Sequence, residues 1–553
     1  MNTLFDGEDS ANIQAFNQSS PLADYNLFAT NASLVAAIKR YDASWAVDEL
    51  SRFGAYLGSA ETIELASLAN NHSPVLHAFD RFGNRIDEVE FHPSWHHLMN
   101  AAVAVGIHSS PWSDAKQGAH VARAAACMMQ TEIECGVQCP TTMTYGSVPT
   151  IRQNARLAET WLPKIYSRSY DPRFLPVTEK SGALIGMGMT EKQGGSDVRT
   201  NVTKAELIES GSNRYVLEGH KWFFSAPMCD AFMVTAQAKG GISCFFVPRW
   251  LPDNKKNAIR IQRLKDKLGN RSNASSEVEF HGAQGWLIGE EGRGIPTIIE
   301  MATYTRLDCA LGSTGLMHQA VAQAVHHAGM RTAFGRLLID QPLMKNVLAD
   351  LILEVEGATA LAMRIAHAFD RQDDPEEGRF RRIVTPAVKY WICKRGASVS
   401  VEAMEVLGGN GYVEEGTMAR IYREMPLNSI WEGSGNVMCL DVLRALRKDP
   451  AAIEIVFSEW REARGGNHHL DKYANDLESD IGKLTDNEMV ARQITERLSL
   501  CLSGALLVRH APHEVSEAFC ASRLSGTWGS TFGTLPTSCN FAAIIDRGRT
   551  KHH

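Results

Sequence analysis

Apolar positions recur at helical spacing along most of the chain and at strand spacing in one central block. Leu34, Ala37 and Ile38 fall at i, i+3 and i+4, and Val121–Met129 is rich in Ala and Met, so 33–173 reads as mostly helical. Pro140 is expected to interrupt a helix there. The period shifts at Gly182. Leu184–Met189, Tyr215–Leu217, Phe232–Val234, Ser243–Val247 and Val278–Phe280 are short apolar or alternating runs between Gly, Asn, Asp and Pro turns. They predict strands of about five residues in a small antiparallel β-domain. Helical spacing returns after Gly294, in Ile295–Ala333, Pro342–Arg371 and Val384–Val406, with breaks at Phe334-Gly335, Asp373-Asp374-Pro375 and Gly408-Gly409. Beyond Pro450, the residues Val490, Ile494, Leu498, Cys501, Leu502 and Ala505 mark one more amphipathic helix. Residues 1–30 are polar and read as an arm, and the Ser-, Gly- and Thr-rich 524–540 as loosely ordered. The pattern predicts an α+β, mostly α protein. Its parts are an arm (1–30), a helical domain (31–181), a β-domain (182–290), a helical bundle (291–449) and a separate helical domain (450–553).

Composition narrows this picture. The 553 residues suffice for about three or four domains, and 44% hydrophobic with 22% charged residues is ordinary for a globular chain. No window reaches the ~20 apolar residues of a membrane span, and Met1–Gly7 has neither a basic nor a long apolar run, so a cytoplasmic protein with reduced thiols is expected. Cys127, Cys309, Cys393 and Cys439 lie in apolar helical patterns and read as buried thiols. Cys135 and Cys139 lack a partner pair at zinc spacing, so no metal site is expected. His92, His96 and His97 around Trp95, and His468-His469, read as capping or surface groups.

The stretch carrying the most chemistry is Asn428-Ser-Ile-Trp-Glu-Gly-Ser-Gly-Asn436. Glu432 sits between Trp431 and Gly433, and helical spacing resumes at Val437 behind Ser434 and Asn436, both good helix N-caps. A carboxylate on such a turn either projects into a cleft as a base, its pKa raised by apolar neighbours, or is a solvated loop residue. Met189–Val198 ends a strand in a Gly-Gly turn with hydroxyls at Thr190 and Ser196, suited to phosphates or heterocycle carbonyls. Gly219–Ala226 places three aromatics before Ser225, as a wall for a flat cofactor or as ordinary core. Arg331…Phe334-Gly335 with Gln341, and Gly408-Gly409-Asn410-Gly411, either offer charge and amides to a pyrophosphate or are glycine helix stops.

In this order, with Leu268–Ser272 and Leu287–Gly294 between them, these stretches resemble the acyl-CoA dehydrogenase family of flavoproteins over about 180–445. They are most similar to the branch associated with the adaptive response to DNA alkylation. The resemblance implies a helical domain, a β-domain and a helical bundle with FAD between the last two, and a homotetramer that shares flavin residues across subunits. It implies that Met189, Thr190, Gly195, Ser196, Asp197, Val198, Phe223, Phe224, Ser225, Trp431, Gly433, Ser434 and Asn436 serve the flavin. Arg331, Phe334, Gln341, Gly408, Gly409 and Gly411 would serve its adenosine and pyrophosphate end. Glu432 would take the α-proton of an acyl-CoA thioester, with Thr190, Ser196 and Arg306 at the substrate. Two positions depart from the pattern: Lys192 stands where the family has proline, and Phe223 replaces a flavin-side tryptophan that here comes one residue earlier, at Trp222.

The same branch implies duplex DNA as a partner of the C-terminal domain. Its charge speaks against strong phosphate binding: 451–553 carries 11 Lys and Arg against 13 Asp and Glu. The basic residues are unevenly placed, with six against three acidic residues in 497–553. Local field governs binding, so Arg444, Arg447, Lys448, Arg509, Arg523, Arg547 and Arg549 are the candidate DNA contacts. On this reading the protein binds duplex DNA and protects it or inactivates alkylating agents, with weak dehydrogenation of acyl-CoA. The competing readings are a catabolic dehydrogenase of short or branched chains whose C-terminal domain serves assembly, and a non-catalytic DNA-shielding protein that keeps FAD for structure.

Overall fold

The computed structural model describes residues 17–550, apart from the side chains at 483 and 484. Most of the predicted arm lies outside the described residues. Its last part is not an arm: Leu22, Tyr25, Leu27 and Phe28 are buried, and Asn26 caps a short helix, Leu27–Thr30, by accepting from the amides of Phe28 and Ala29.

The N-terminal domain is helical except for a hairpin, Val75–Phe79 with Arg85–Glu90, that the apolar pattern did not announce. Alternate residues of its first strand stay exposed, so the strand buries too little to show an apolar stripe. Pro140 interrupts nothing. It stands in the first turn of helix Gln138–Ile151, where no amide partner is needed.

The middle domain is a seven-stranded sheet whose pairings close on themselves. Strand Arg214–Ser225 pairs antiparallel with Ser275–Ile288, Lys204–Leu207 and Ile185–Gly188. Two pairings run parallel, joining Ala231–Ala238 to Ile185–Gly188 and to Lys204–Leu207, so the expected antiparallel domain is mixed. The two longest strands hold 12 and 14 residues, well beyond the expected five.

Three long helices form the bundle: Gly294–Met330, Pro342–Asp370 and Pro375–Val406. The last begins where sequence chemistry says it should. Asp374 accepts from the amides of Glu376 and Glu377, Pro375 occupies the first position, and both glutamates favour the positive helix end.

The C-terminal region packs on the bundle. Helix Ala491–His510 buries Ile494, Leu498, Cys501, Leu502 and Ala505 against Pro342–Asp370 and Pro375–Val406, within the core that runs through the bundle. The stretch 524–540 is irregular but anchored: Gly533 and Leu535 donate backbone amides to Asp350 Oδ2 (3.0 Å) and Asn346 Oδ1 (2.9 Å). Among the described residues, no helix is long and apolar enough to cross a membrane.

Candidate active site

Four elements meet around a small cavity of about 20 Å³. Helix Gln138–Ile151 supplies Gln138, Cys139, Thr142 and Met143, and helix Gly294–Met330 supplies Thr305, Asp308 and Cys309. Both sets fall at i, i+3 or i+4, so each helix turns one face to the space. Ser225 closes one side from the end of its strand, and the turn after Met425 adds Asn428, Trp431 and Glu432.

Glu432 adopts a left-handed backbone, φ 58°, in front of Gly433 at φ 107°. A glutamate there is strained, and the surroundings hold it. Lys389, buried, donates to the carbonyls of Trp431 (2.6 Å) and Gly433. Arg306 donates from Nε to the Glu432 carbonyl (3.0 Å), and its own charge is met by Asp441 (2.9 Å). Trp431 Nε1 donates to Asn428 Oδ1 (2.9 Å), and Asn428 donates in turn to Ser313 (3.1 Å).

Among the described residues the carboxylate receives one hydrogen bond, from Thr305 Oγ1 to Oε2 (2.6 Å). Burial raises its pKa; the Thr305 bond and the nearby Lys389 and Arg306 charges pull the other way. A half-buried carboxylate with a raised pKa and one free oxygen is equipped to take a proton. The two thiols in the wall are not nucleophiles: burial pushes Cys139 up to about 12 and raises Cys309 well above its usual value. On the far side, Asp308 is neutralised by Arg123, whose Nη2 lies 2.6 Å from Oδ2 and whose guanidinium sits over the Tyr145 ring at 3.8 Å. The polar groups of the wall are therefore internally satisfied, and the surface left to the cavity is mainly apolar.

Three family models match the chain: the adaptive response protein AidB N-terminal domain over 17–172, the acyl-CoA dehydrogenase middle domain over 186–283 and the acyl-CoA dehydrogenase C-terminal domain over 292–447. AidB of Escherichia coli (strain K12) is 48% identical over 93% of this chain and 95% of its own length. The chain belongs to the acyl-CoA dehydrogenase family. Among solved structures, Caenorhabditis elegans ACDH-11 in complex with C11-CoA superposes with TM-score 0.83 at 25% identity, covering 92% of this chain and 93% of that one. The Bacillus anthracis acyl-CoA dehydrogenase complexed with FAD shares the fold, with TM-score 0.64 at 17% identity over 90% and 89% of the two chains.

This acyl-CoA dehydrogenase family is FAD-dependent, and the residues present fit the cofactor. A Cβ built at Gly194, Gly408 or Gly409 meets nothing within 4 Å, so these turns show bare backbone to open space, as a dinucleotide's phosphates require. Gly195 packs on Thr190, where a Cβ would lie 2.5 Å from its hydroxyl oxygen. The buried Glu191–Lys221 pair (2.7 Å) pins this loop, with Glu191 also accepting from the amides of Val202 and Thr203. Met189, Thr190 and Val198 are half-buried, while Ser196, Asp197 and Phe223 are exposed. Lys192, in the proline position, sits over Trp222 at 5.5 Å, and Lys265 covers both Trp222 (3.6 Å) and Phe223 (4.7 Å).

Ser225, Trp431 and Glu432 come together at the cavity. Arg331, Phe334 and Gln341 gather at a separate place, a two-residue turn after helix Gly294–Met330, where Gln341 donates to the Ala333 carbonyl (2.8 Å). Several expected site residues have other surroundings. Phe224 faces away from the cofactor side, fully buried against Phe232 and Phe280. Asn436 Oδ1 is taken by Arg492 (2.9 Å), and Ser434 stands at the N-cap of Gly435–Lys448 without a side-chain bond. Arg523 is wholly buried between Asp350 and Glu354 and cannot reach a phosphate. The other DNA candidates vary. Arg509 pairs with Glu459 and Glu462, Arg547 with Glu356 and Arg447 with Glu488, whereas Lys448 and Arg549 are exposed and Arg444 shares Asp441.

Sequence reasoning missed Thr305, Gln138, Thr142, Asp308 and Lys389. The signal was present: Thr305, Asp308 and Cys309 put polar atoms at i, i+3 and i+4 on a helix that is otherwise buried almost throughout. His92 caps helix Pro93–Ala104, and His96 bonds the Tyr170 hydroxyl (2.9 Å).

Proposed function

We propose that this protein is an FAD-dependent α,β-dehydrogenase of an acyl-CoA thioester, with Glu432 as the base. The observation that carries the reading is the Glu432 carboxyl itself: strained backbone, raised pKa and, among the described residues, one unbonded oxygen, beside Ser225 at a small apolar-lined cavity. Bound FAD supplies the hydride acceptor for the β-carbon. Glu432 takes the α-proton on the oxygen that Thr305 does not hold. Lys389 and Arg306 fix the turn through its carbonyls, so the carboxyl keeps its aim while its charge changes. Gln138, Thr142 and Asp308 satisfy one another, and the surface left to the cavity with Cys139, Met143, Cys309 and Trp431 is mainly apolar, which suits an acyl chain. Thr190, Gly195, Ser196 and Ser225 would line the flavin. Arg331, Phe334, Gln341 and Gly408–Gly411 would hold the adenosine end, in a homotetramer across the subunit boundary. Phe334 is 99% exposed and Tyr412 81%, which supports a covering partner copy.

A second reading, duplex DNA binding in the alkylation response, draws on the likeness to AidB. Its candidate face is the exposed Arg444 and Lys448 with neighbouring Arg379 and Arg382. Anaerobic flavin bleaching by a panel of acyl-CoA thioesters tests the first reading. Rapid bleaching abolished in Glu432→Gln supports it; a fully flavinylated protein that no thioester of the panel reduces refutes it and shifts the weight to DNA.

A further inference from the structure

The first described residues, 17–20, run across the two elements assigned above to the adenosine end of FAD. Asn17 grips the hairpin Thr332–Leu337 through its side chain. Its Nδ2 donates to the Thr332 carbonyl (2.9 Å), and its Oδ1 accepts from the Thr332 amide (2.8 Å) and hydroxyl (2.7 Å). The Arg331 guanidinium donates to the Asn17 carbonyl. One residue on, Gln18 Oε1 accepts from Asn410 Nδ2 (2.9 Å), in the Gly408–Gly411 turn. Ser19 and Ser20 fasten the segment to the end of helix Gly294–Met330: Ser19 Oγ lies 2.8 Å from His327 Nδ1, and Ser20 O lies 2.9 Å from His326 Nε2.

Neither tied element is self-supporting. The hairpin has two residues per strand around Phe334 and Gly335, both left-handed (φ 51° and 76°), and a lone two-stranded hairpin is marginal in water. The helical piece Gly409–Tyr412 is a single turn, too short to hold itself. They leave the ends of two different helices, and residues 17–18 join them by side-chain bonds.

We propose that residues 17–20 are a positioning strap, with Asn17 and Gln18 holding the hairpin and the glycine turn in register to receive the adenosine diphosphate part of FAD. The strap does not block that site. An uncharged carbonyl takes one N–H of Arg331 and leaves the guanidinium its charge and its other donors for phosphate. The inference rests on the FAD half-site assigned under the proposed function.

The test compares apoprotein with the Asn17→Ala/Gln18→Ala double variant by flavin titration. If the tied arrangement falls to about a tenth of the population, FAD binds about tenfold more weakly. ADP, which carries only the strapped half, competes about tenfold less well, and FMN, which lacks the adenylate half, keeps its affinity within about twofold. The thermal midpoint of the apoprotein stays put, because Gln18 is exposed and Asn17 only half-buried. Unchanged FAD and ADP constants overturn the strap, as does an equal loss for FAD and FMN, which marks a general structural role. Native protein that takes up no FAD refutes the parent assignment instead, and that result shows before any variant is made.

Discussion

Glu432→Gln is the substitution that separates chemistry from architecture. Gln has nearly the same shape, and its amide oxygen can still accept from Thr305 Oγ1, now 2.6 Å from the carboxylate. Arg306 and Lys389 bind backbone carbonyls of the turn, which the substitution leaves untouched. The variant should fold, load FAD as native protein does, and lose only the proton acceptor. General-base catalysis is worth about 10²–10⁴-fold, or about 3–5 kcal/mol of barrier, so thioester-driven flavin reduction should slow by at least about a hundredfold. Stability gives an internal control. Burial raises the Glu432 pKa, so between the unfolded and folded values the folded state binds the extra proton. Stability from this group is therefore present at low pH and lost as pH rises through the raised value. Gln cannot ionise, so at pH 8 the variant's thermal midpoint should equal or exceed the native one. Stopped-flow absorbance under anaerobic conditions reads the rate. A variant within about fivefold of native rate, with native flavin content, would remove Glu432 from the chemistry.

Other expectations follow from the same contacts. Thr305→Val removes the hydrogen bond that opposes the raised pKa of Glu432, so the pH profile of flavin reduction should move to higher pH; an unmoved profile would show that Thr305 does not tune the base. Arg523→Met leaves Asp350 and Glu354 without their buried cation and should cost about 3–5 kcal/mol in denaturant unfolding, while DNA affinity, if measurable, stays unchanged. If the exposed basic face binds duplex DNA, Arg444→Ser with Lys448→Ser should lower the log–log salt slope by about two; an unchanged slope would clear both residues of phosphate contact. Saturating duplex DNA should leave flavin reduction within about twofold, because Arg444 meets Asp441 from solvent and such exposed pairs carry little energy to transmit.

Much of this fold could be read from the sequence because long amphipathic helices repeat one signal many times. Helix Pro342–Asp370 matched its sequence pattern to a residue at its C-terminal end. Pairing direction is different: Ile185–Gly188 is apolar whether its neighbour runs parallel or antiparallel, so nothing in the pattern marked the mixed sheet. The active-site turn was legible only through the ordered set of motifs around it, since Trp-Glu-Gly-Ser-Gly by itself reads as well as a solvated loop. Its wall was not, because Thr305 and Asp308 look like tolerated polar residues until tertiary packing brings Gln138 and Thr142 across from another helix. Charge counting failed at Arg523 for the same reason, since a tally of basic residues cannot see Asp350 and Glu354 closing around one of them.

Asp441 shows how such a charge tally misleads in the other direction as well. It receives Arg306, Arg382 and Arg444, so one carboxylate answers three guanidiniums and the cluster keeps a net positive charge. The inner arginine is 7% exposed and holds the Glu432 carbonyl; the outer two are 46% and 68% exposed. The buried link cannot be surrendered without leaving an uncompensated charge beside the catalytic turn, a loss of several kcal/mol. The outer links are screened and nearly free to exchange. Arg382 and Arg444 can therefore turn toward an anion from solvent while Arg306 stays in place, so a positive surface and a rigid base coexist on the same carboxylate with little coupling between them.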